Sequence, residues 1–156
     1  MATKKMAIIA TKGALDMAYP PLILASTAAA LGWDVQIFFT FYGLQLLRKN
    51  LDGIKISPLA NPAMPMPVPM PVIVSVLPGM EAMATMMMKD KMKKKGVASL
   101  EELRSLCQEA DVKFIACQMT VDLFEFQTSE FIDGIEYGGA ATFMKFAGET
   151  DVCLFI

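Results

Sequence analysis

The chain has 156 residues, a formal net charge of −2, 54% hydrophobic residues and 19% charged residues. These values fit one globular domain and exclude a disordered chain and a general nucleic-acid binder. Histidine is absent, which removes Ser-His and Cys-His catalysis and any zinc or haem site held by histidine.

The opening Met1-Ala2-Thr3-Lys4-Lys5 is followed by a short apolar run before Lys12. That run is too short for the core of a signal peptide, so the chain is read as cytoplasmic, where thiols stay reduced. Lys5 to Thr11 reads as a buried strand, and Lys12-Gly13 as a tight turn. Met17 to Trp33 carries no charge. Pro20-Pro21 suits a helix start, Leu22 to Leu31 the helix and Gly32 its stop. A helix this apolar on every side is expected to be covered on two sides. Asp34 to Thr40 is a second strand, and Gly43 to Lys49 a short helix.

Ile56 to Met80 is long enough to span a bilayer and carries no charge, but it holds Pro58, Pro62, Pro65, Pro67, Pro69, Pro71 and Pro78. Alternating prolines forbid a membrane-spanning helix, so Met64 to Pro71 is expected as an extended, polyproline-like arm. Membrane contact at the surface stays open. The arm occupies about 56–78 of a single domain that covers 1–156. A helix over about 79–95 follows it. The helical period puts Met80, Met83, Ala84 and Met87 on one face, and the helix ends in lysines capped by Gly96.

Ser99-Leu100-Glu101-Glu102 is a capping box, and Leu100, Leu103, Cys107 and Ala110 follow at helical spacing. Lys113 to Cys117 reads as a third strand. Asp122 to Glu125 reads as a single turn and Thr128 to Ile132 as a short helix. Ile135 to Tyr137 reads as a short strand, Gly139 to Ala147 as a helix and Asp151 to Ile156 as a last, buried strand. Strands alternating with helices predict a three-layer α/β/α domain around a mostly parallel sheet.

With histidine gone, cysteine is the strongest nucleophile. Cys107, Cys117 and Cys153 form no Cys-x-x-Cys pair, so a zinc ribbon and a thioredoxin-type dithiol are excluded. Cys153 in the last strand and Cys107 on the Leu100–Leu103 stripe read as packing. Cys117 ends a strand ahead of a turn, and the carboxyl ends of strands are where α/β sheets collect chemistry. On placement alone it stands open between a reactive thiol and a buried one. Lys12 is the one basic residue placed on the same edge. It stays open between a solvated lysine and a group that stabilises a thiolate, whereas Asp122 and Glu125 would oppose ionisation. Thr11-Lys12-Gly13-Ala14 lacks both Gly-rich phosphate-binding patterns. The methionines between Met64 and Met92 point to flexible interface packing ahead of soft-metal binding. No cofactor and no metal site are expected.

Several segments carry a resemblance: the opening strand to Gly13, Phe38 to Gly43, Met64 to Pro71, Leu77 to Met80, Ala116-Cys117-Gln118-Met119, and Ile132 to Gly139. On these residues the chain resembles the DsrE/DsrF/DsrH-like family of sulfur-transfer proteins, in the branch with a Pro/Met-rich insertion. The resemblance implies a flavodoxin-like fold and a strand-end cysteine, here Cys117, that carries sulfane sulfur as a persulfide. It also implies a homo-oligomer, trimer or hexamer, and rhodanese-like and TusA-like protein partners. Part of the family has a second cysteine ten residues upstream, which matches Cys107. Lys12, Gly13, Tyr42, Gln118 and Met119, in the matching segments, become the candidate binding residues. The leading expectation is a sulfur carrier or sulfurtransferase acting by persulfide exchange. A non-catalytic oligomeric or membrane-peripheral module and a thiol redox sensor are the alternatives.

Overall fold

The computed structural model describes residues 2–58, 63, 65, 67, 68 and 71–156. Its centre is a five-stranded sheet in the order β4-β3-β2-β1-β5. The strands are β1 (Lys5–Ala10), β2 (Asp34–Phe39), β3 (Lys113–Cys117), β4 (Glu136–Gly138) and β5 (Val152–Phe155). Every neighbouring pair is parallel. The helices are α1 (Leu15–Ala30), α2 (Val72–Ser75), α3 (Met80–Lys94), α4 (Leu100–Glu109), α5 (Gln118–Leu123) and α6 (Ala140–Ala147). Single 3-10 segments cover Phe41–Leu47 and Thr128–Glu130. The expected flavodoxin-like α/β/α class is what the chain adopts.

Side chains alternate across a strand, so each strand feeds two cores. Ile8, Ile37, Phe39, Phe114 and Ala116 face α1 and α4, where Leu22, Ala25, Leu103 and Cys107 meet them. Ala7, Phe38, Ile115 and Cys117 face the other way, against Phe143 of α6. Burial on both faces explains why β1 to β3 read as near-continuous apolar runs. Burying each large side chain contributes about 2 kcal/mol. The face under α1 and α4 therefore carries most of the stability.

The start of α1 differs from expectation. Pro20 and Pro21 lie inside the helix, which begins at Leu15. Tertiary bonds fix the early turn: Leu15 N–H donates to the Lys55 carbonyl at 2.8 Å. The Asp16 carboxylate accepts from the Ser57 amide at 2.7 Å and the Ser57 hydroxyl at 2.8 Å. The prolines remove only the donors that would reach the Asp16 and Met17 carbonyls. Gly32, at φ +81°, ends the helix as expected. The expected cover on two sides is incomplete within the chain, because Ile23, Leu24 and Leu31 are exposed.

On α3 the inward face is Met80, Ala84, Thr85, Met88 and Met92, while Met83 and Met87 are exposed. The expected stripe is displaced because a polar residue sits at its centre. Thr85 is buried, accepts the Ile56 amide at 3.1 Å and donates to the Glu81 carbonyl at 2.7 Å. The expected extended arm over Met64 to Pro71 lies largely outside the described residues. The capping box at α4 is present in both directions, at 3.2 Å and 2.7 Å.

The turn expected at Asp122 to Glu125 is present, closed by the Glu125 amide donating to the Asp122 carbonyl at 3.2 Å, and it runs directly out of α5, which starts at Gln118. One further expectation changes. The last strand is not buried: β5 pairs with β1 alone, and Cys153 and Phe155 are exposed. Among the described residues, no helix is long and apolar enough to cross a membrane.

Candidate functional site

The carboxyl ends of β1, β2 and β3 lie side by side, and the segments leaving them build the site. Two glycines let these segments approach. A Cβ on Gly43 would run into the Ala10 carbonyl. A Cβ on Gly13 would stand 2.6 Å from the Tyr42 carbonyl. Phe41 takes a left-handed backbone at φ +49°, which costs a non-glycine residue roughly 1–2 kcal/mol. The turn after β2 is thereby folded back over the end of β3.

Cys117 ends β3 and occupies the N-cap position of α5. The residue is 4% exposed. Burial pushes its thiol up, but the Thr120 hydroxyl and amide, the Thr40 hydroxyl and the Met119 amide together outweigh it. The thiol is held below its ordinary value. No side-chain cap hydrogen bond closes on the sulfur. The register of β2 on β3, with Phe39 beside Ala116, brings Thr40 to the Cys117 end of the strands, and Thr120 is the third residue of the helix that Cys117 caps. The Thr40 and Thr120 hydroxyl oxygens are 3.2 Å apart, and the Phe41 amide donates to Thr120 Oγ1 at 3.2 Å.

The other candidates fall into distinct places. Lys12, Gly13 and Tyr42 share an open cleft of about 490 Å³ with Ala14, Met17, Gln45 and Ser57. Cys117 does not line that cleft, and Lys12 is absent from the causes that lower its thiol. Lys12 is exposed in that cleft, and the groups that lower the Cys117 thiol are neutral hydroxyls and amides. Tyr42 joins the two regions, because its ring stacks on Phe124 at 6.1 Å, just past α5. Gln118 donates to Asp122 Oδ1 at 2.8 Å, which engages that carboxylate. Met119 lends its amide to the sulfur, and its side chain is 60% exposed.

Cys107 is fully buried, and its sulfur donates to the Leu22 carbonyl at 3.4 Å. Burial pushes its thiol up to about 11, only partly offset by the Ser26 amide. A thiol in that state is poorly ionised at neutral pH and packs as a small apolar group. Cys153, read as packing, is exposed on the edge strand. Among the described residues, no group of three His, Cys, Asp or Glu side chains could hold a metal ion.

Thr40 and Thr120 were not singled out in the sequence. The available signal is Cys-x-x-Thr at a strand–helix junction, because the third residue of a helix faces back onto its N-cap. Thr40 carries no local signal, since it meets Thr120 only through the pairing of β2 with β3.

Comparison with known proteins adds three findings. A model of the DsrE/DsrF/DrsH-like family matches residues 2–155. The chain is 67% identical over 160 residues to a protein of Allochromatium vinosum named sulfur carrier protein DsrE2, covering all of both chains. It is 35% identical to the uncharacterized protein YrkE of Bacillus subtilis, covering 99% of this chain and 98% of that one. In fold alone, it is similar to the crystal structure of the ychN protein from E. coli. That likeness has a TM-score of 0.56 at 14% identity and covers 99% of this chain and 100% of the other.

Proposed function

This chain belongs to the DsrE/DsrF/DrsH-like family, and on that premise we propose that it is a sulfur carrier whose sulfur rides on Cys117 as a persulfide. The observation that carries the reading is the Cys117 thiol, held low by neutral donors at a strand end. Sulfur exchange asks for a thiolate and for no acid–base pair or metal. The 67% identity to a protein named as a sulfur carrier supports the same reading.

Uptake and release are two exchanges. The Cys117 thiolate attacks the terminal sulfur of a donor persulfide. A new S–S bond forms as the donor S–S bond breaks, and the donor leaves as its thiolate. A partner thiolate then attacks the terminal sulfur on Cys117, and Cys117 leaves as thiolate. No net oxidation occurs in either step. Persulfide-bearing proteins of the rhodanese-like and TusA-like kinds fit as partners, in a reducing cytoplasm. A homo-oligomer, trimer or hexamer, fits the apolar Ile23, Leu24 and Leu31 that α1 leaves exposed.

Intact-mass measurement after incubation with a sulfane-sulfur donor tests the reading. Whole sulfur atoms, removable by reductant, are expected on the parent protein and not on Cys117→Ser. An unchanged mass with several donors, a persulfidated rhodanese-like protein among them, overturns it. One observation favours a second reading, an interaction module. Val72, Ile73, Val76 and Leu77 beside α3, and Met83, Met86 and Met87 on it, are all exposed. That reading requires Cys117→Ser to retain full function.

A further inference from the structure

The geometry points to Thr40 and Thr120 as a paired hydroxyl device that solvates the Cys117 sulfur anion whenever it forms. This rests on the reading of Cys117 as the sulfur-bearing group. A thiolate at this position faces a solvation problem, because the residue is 4% exposed and a buried anion without partners is strongly disfavoured. The charged and titratable groups on the elements around it are Tyr42 beyond β2, Asp122 on α5, Glu136 and Tyr137 on β4 and Lys145 on α6, with Asp34 and Lys113 at the far ends of β2 and β3. Of the β4 pair, Glu136 shares the sheet face of Ile115 and Cys117. None of these is among the groups that lower the Cys117 thiol. The anion must therefore be met by neutral donors.

Thr120 is suited to that task. It is 0% exposed, so water does not reach its hydroxyl. Thr120 is the third residue of α5, so no earlier turn of its own helix lies behind it to take the hydroxyl proton, and its hydroxyl contacts are Thr40 Oγ1 and the Phe41 amide. The Phe41 amide fills one lone pair of Thr120 Oγ1, and a hydroxyl has one proton to give. That proton is free to point at Thr40 or at the sulfur. With Cys117 protonated, the two hydroxyls satisfy each other at 3.2 Å. With Cys117 ionised, both turn toward Sγ, and the Phe41 amide still polarises Thr120.

The strained turn gains a purpose here. Phe41, at φ +49°, is the residue whose amide is aimed at Thr120, so it acts as a positioning residue. The pair also serves both halves of carriage, since Cys117 is the attacking thiolate in uptake and the departing thiolate in release. Hydroxyls that favour its anion assist each half, and a single low thiol state suffices for both.

The test is a titration that uses no sulfur donor. Thiolate absorbance in the ultraviolet is followed against pH, with Cys117→Ser subtracted, for the parent, Thr40→Val, Thr120→Val and Thr120→Ser. Each valine should raise the apparent Cys117 pKa by about one unit, which is about tenfold less thiolate below that pKa. Thr120→Ser should titrate like the parent. A folded Thr40→Val that titrates like the parent overturns the proposal, whether or not Thr120→Val folds. So does a Thr120→Ser that titrates with the valine variants. A protein that titrates as stated but takes up no sulfur would sink the carrier reading and leave the hydroxyl pair standing.

Discussion

Cys107 and Cys117 face opposite sides of the sheet. Cys107 packs with Phe114 and Ala116 in the core under α1 and α4. Cys117 packs with Ile115 and Phe143 under α6. The backbone of β3 stands between them. A bridge needs Cα atoms within about 7 Å and Cβ atoms directed toward each other, and side chains on opposite faces of one sheet point apart. The oxidised protein should therefore yield no Cys107–Cys117 peptide from a folded monomer under non-reducing mapping. A high yield from a band that keeps its native fold would contradict the sidedness of β3.

Thiol labelling should separate the three cysteines. Cys153 is exposed on the edge strand and should label first. Cys107 should resist until the chain unfolds, because it is buried and its thiol is pushed up to about 11. Peptide-resolved alkylation over time gives the order. Early labelling of Cys107 in folded protein would show that its site opens.

Cys107 also predicts a loss of stability in alkali. Its thiol ionises at about 9.0 when the chain is unfolded and at about 11 when folded. Between those values the unfolded chain has lost a proton that the folded chain keeps, so the stability of the fold falls as pH rises. The contribution is complete below about 9 and is lost through about 11. It amounts to about 3 kcal/mol on the basis of 1.36 kcal/mol per unit. Denaturant titrations across this range should show a shallower decline for Cys107→Ala than for the parent. Equal slopes would remove Cys107 as the source.

Arg104 on α4 ties the segment after β2 to the helical layer. Its buried guanidinium donates from Nη1 to the carbonyls of Leu46 at 2.9 Å and Arg48 at 2.6 Å. Arg104→Met should leave both carbonyls short of a donor and cost about 3 kcal/mol in denaturant unfolding. A cost within a few tenths would mean that the carbonyls find other donors.

Gly43→Ala tests the close approach that builds the site. The added methyl must displace either the Ala10 carbonyl or the turn carrying Phe41. Either movement should destabilise the protein by about 2 kcal/mol or more. It should also raise the Cys117 thiol toward its ordinary value, because the Phe41 amide leaves Thr120. A variant with unchanged stability and an unchanged Cys117 titration would show that the turn has room to spare.

Much of this was legible before any coordinates. Strands such as Lys5 to Ala10 and Lys113 to Cys117 are bounded apolar runs, and Ser99 with Glu102 marks a helix start by local chemistry alone. What was not legible depended on distant partners. The early start of α1 is held by Lys55 and Ser57. The inward face of α3 is centred on a threonine whose partner is the Ile56 amide. Cys117 stood out by its place in the chain. Thr40 did not, because it lies eighty residues from the hydroxyl it meets.

The unequal cover of the two sheet faces has a kinetic consequence. Cys117 lies under the eight residues of α6, where the ring of Phe143 stacks on Phe38 at 4.9 Å. The larger core is on the other side. Segments with few buried contacts open at lower free energy than the core beneath them. Amide hydrogen exchange should therefore run faster in α6 than in β1 and β2. Uncovering the sulfur then asks for a brief local excursion of one short helix, and the rest of the molecule stays folded while it happens.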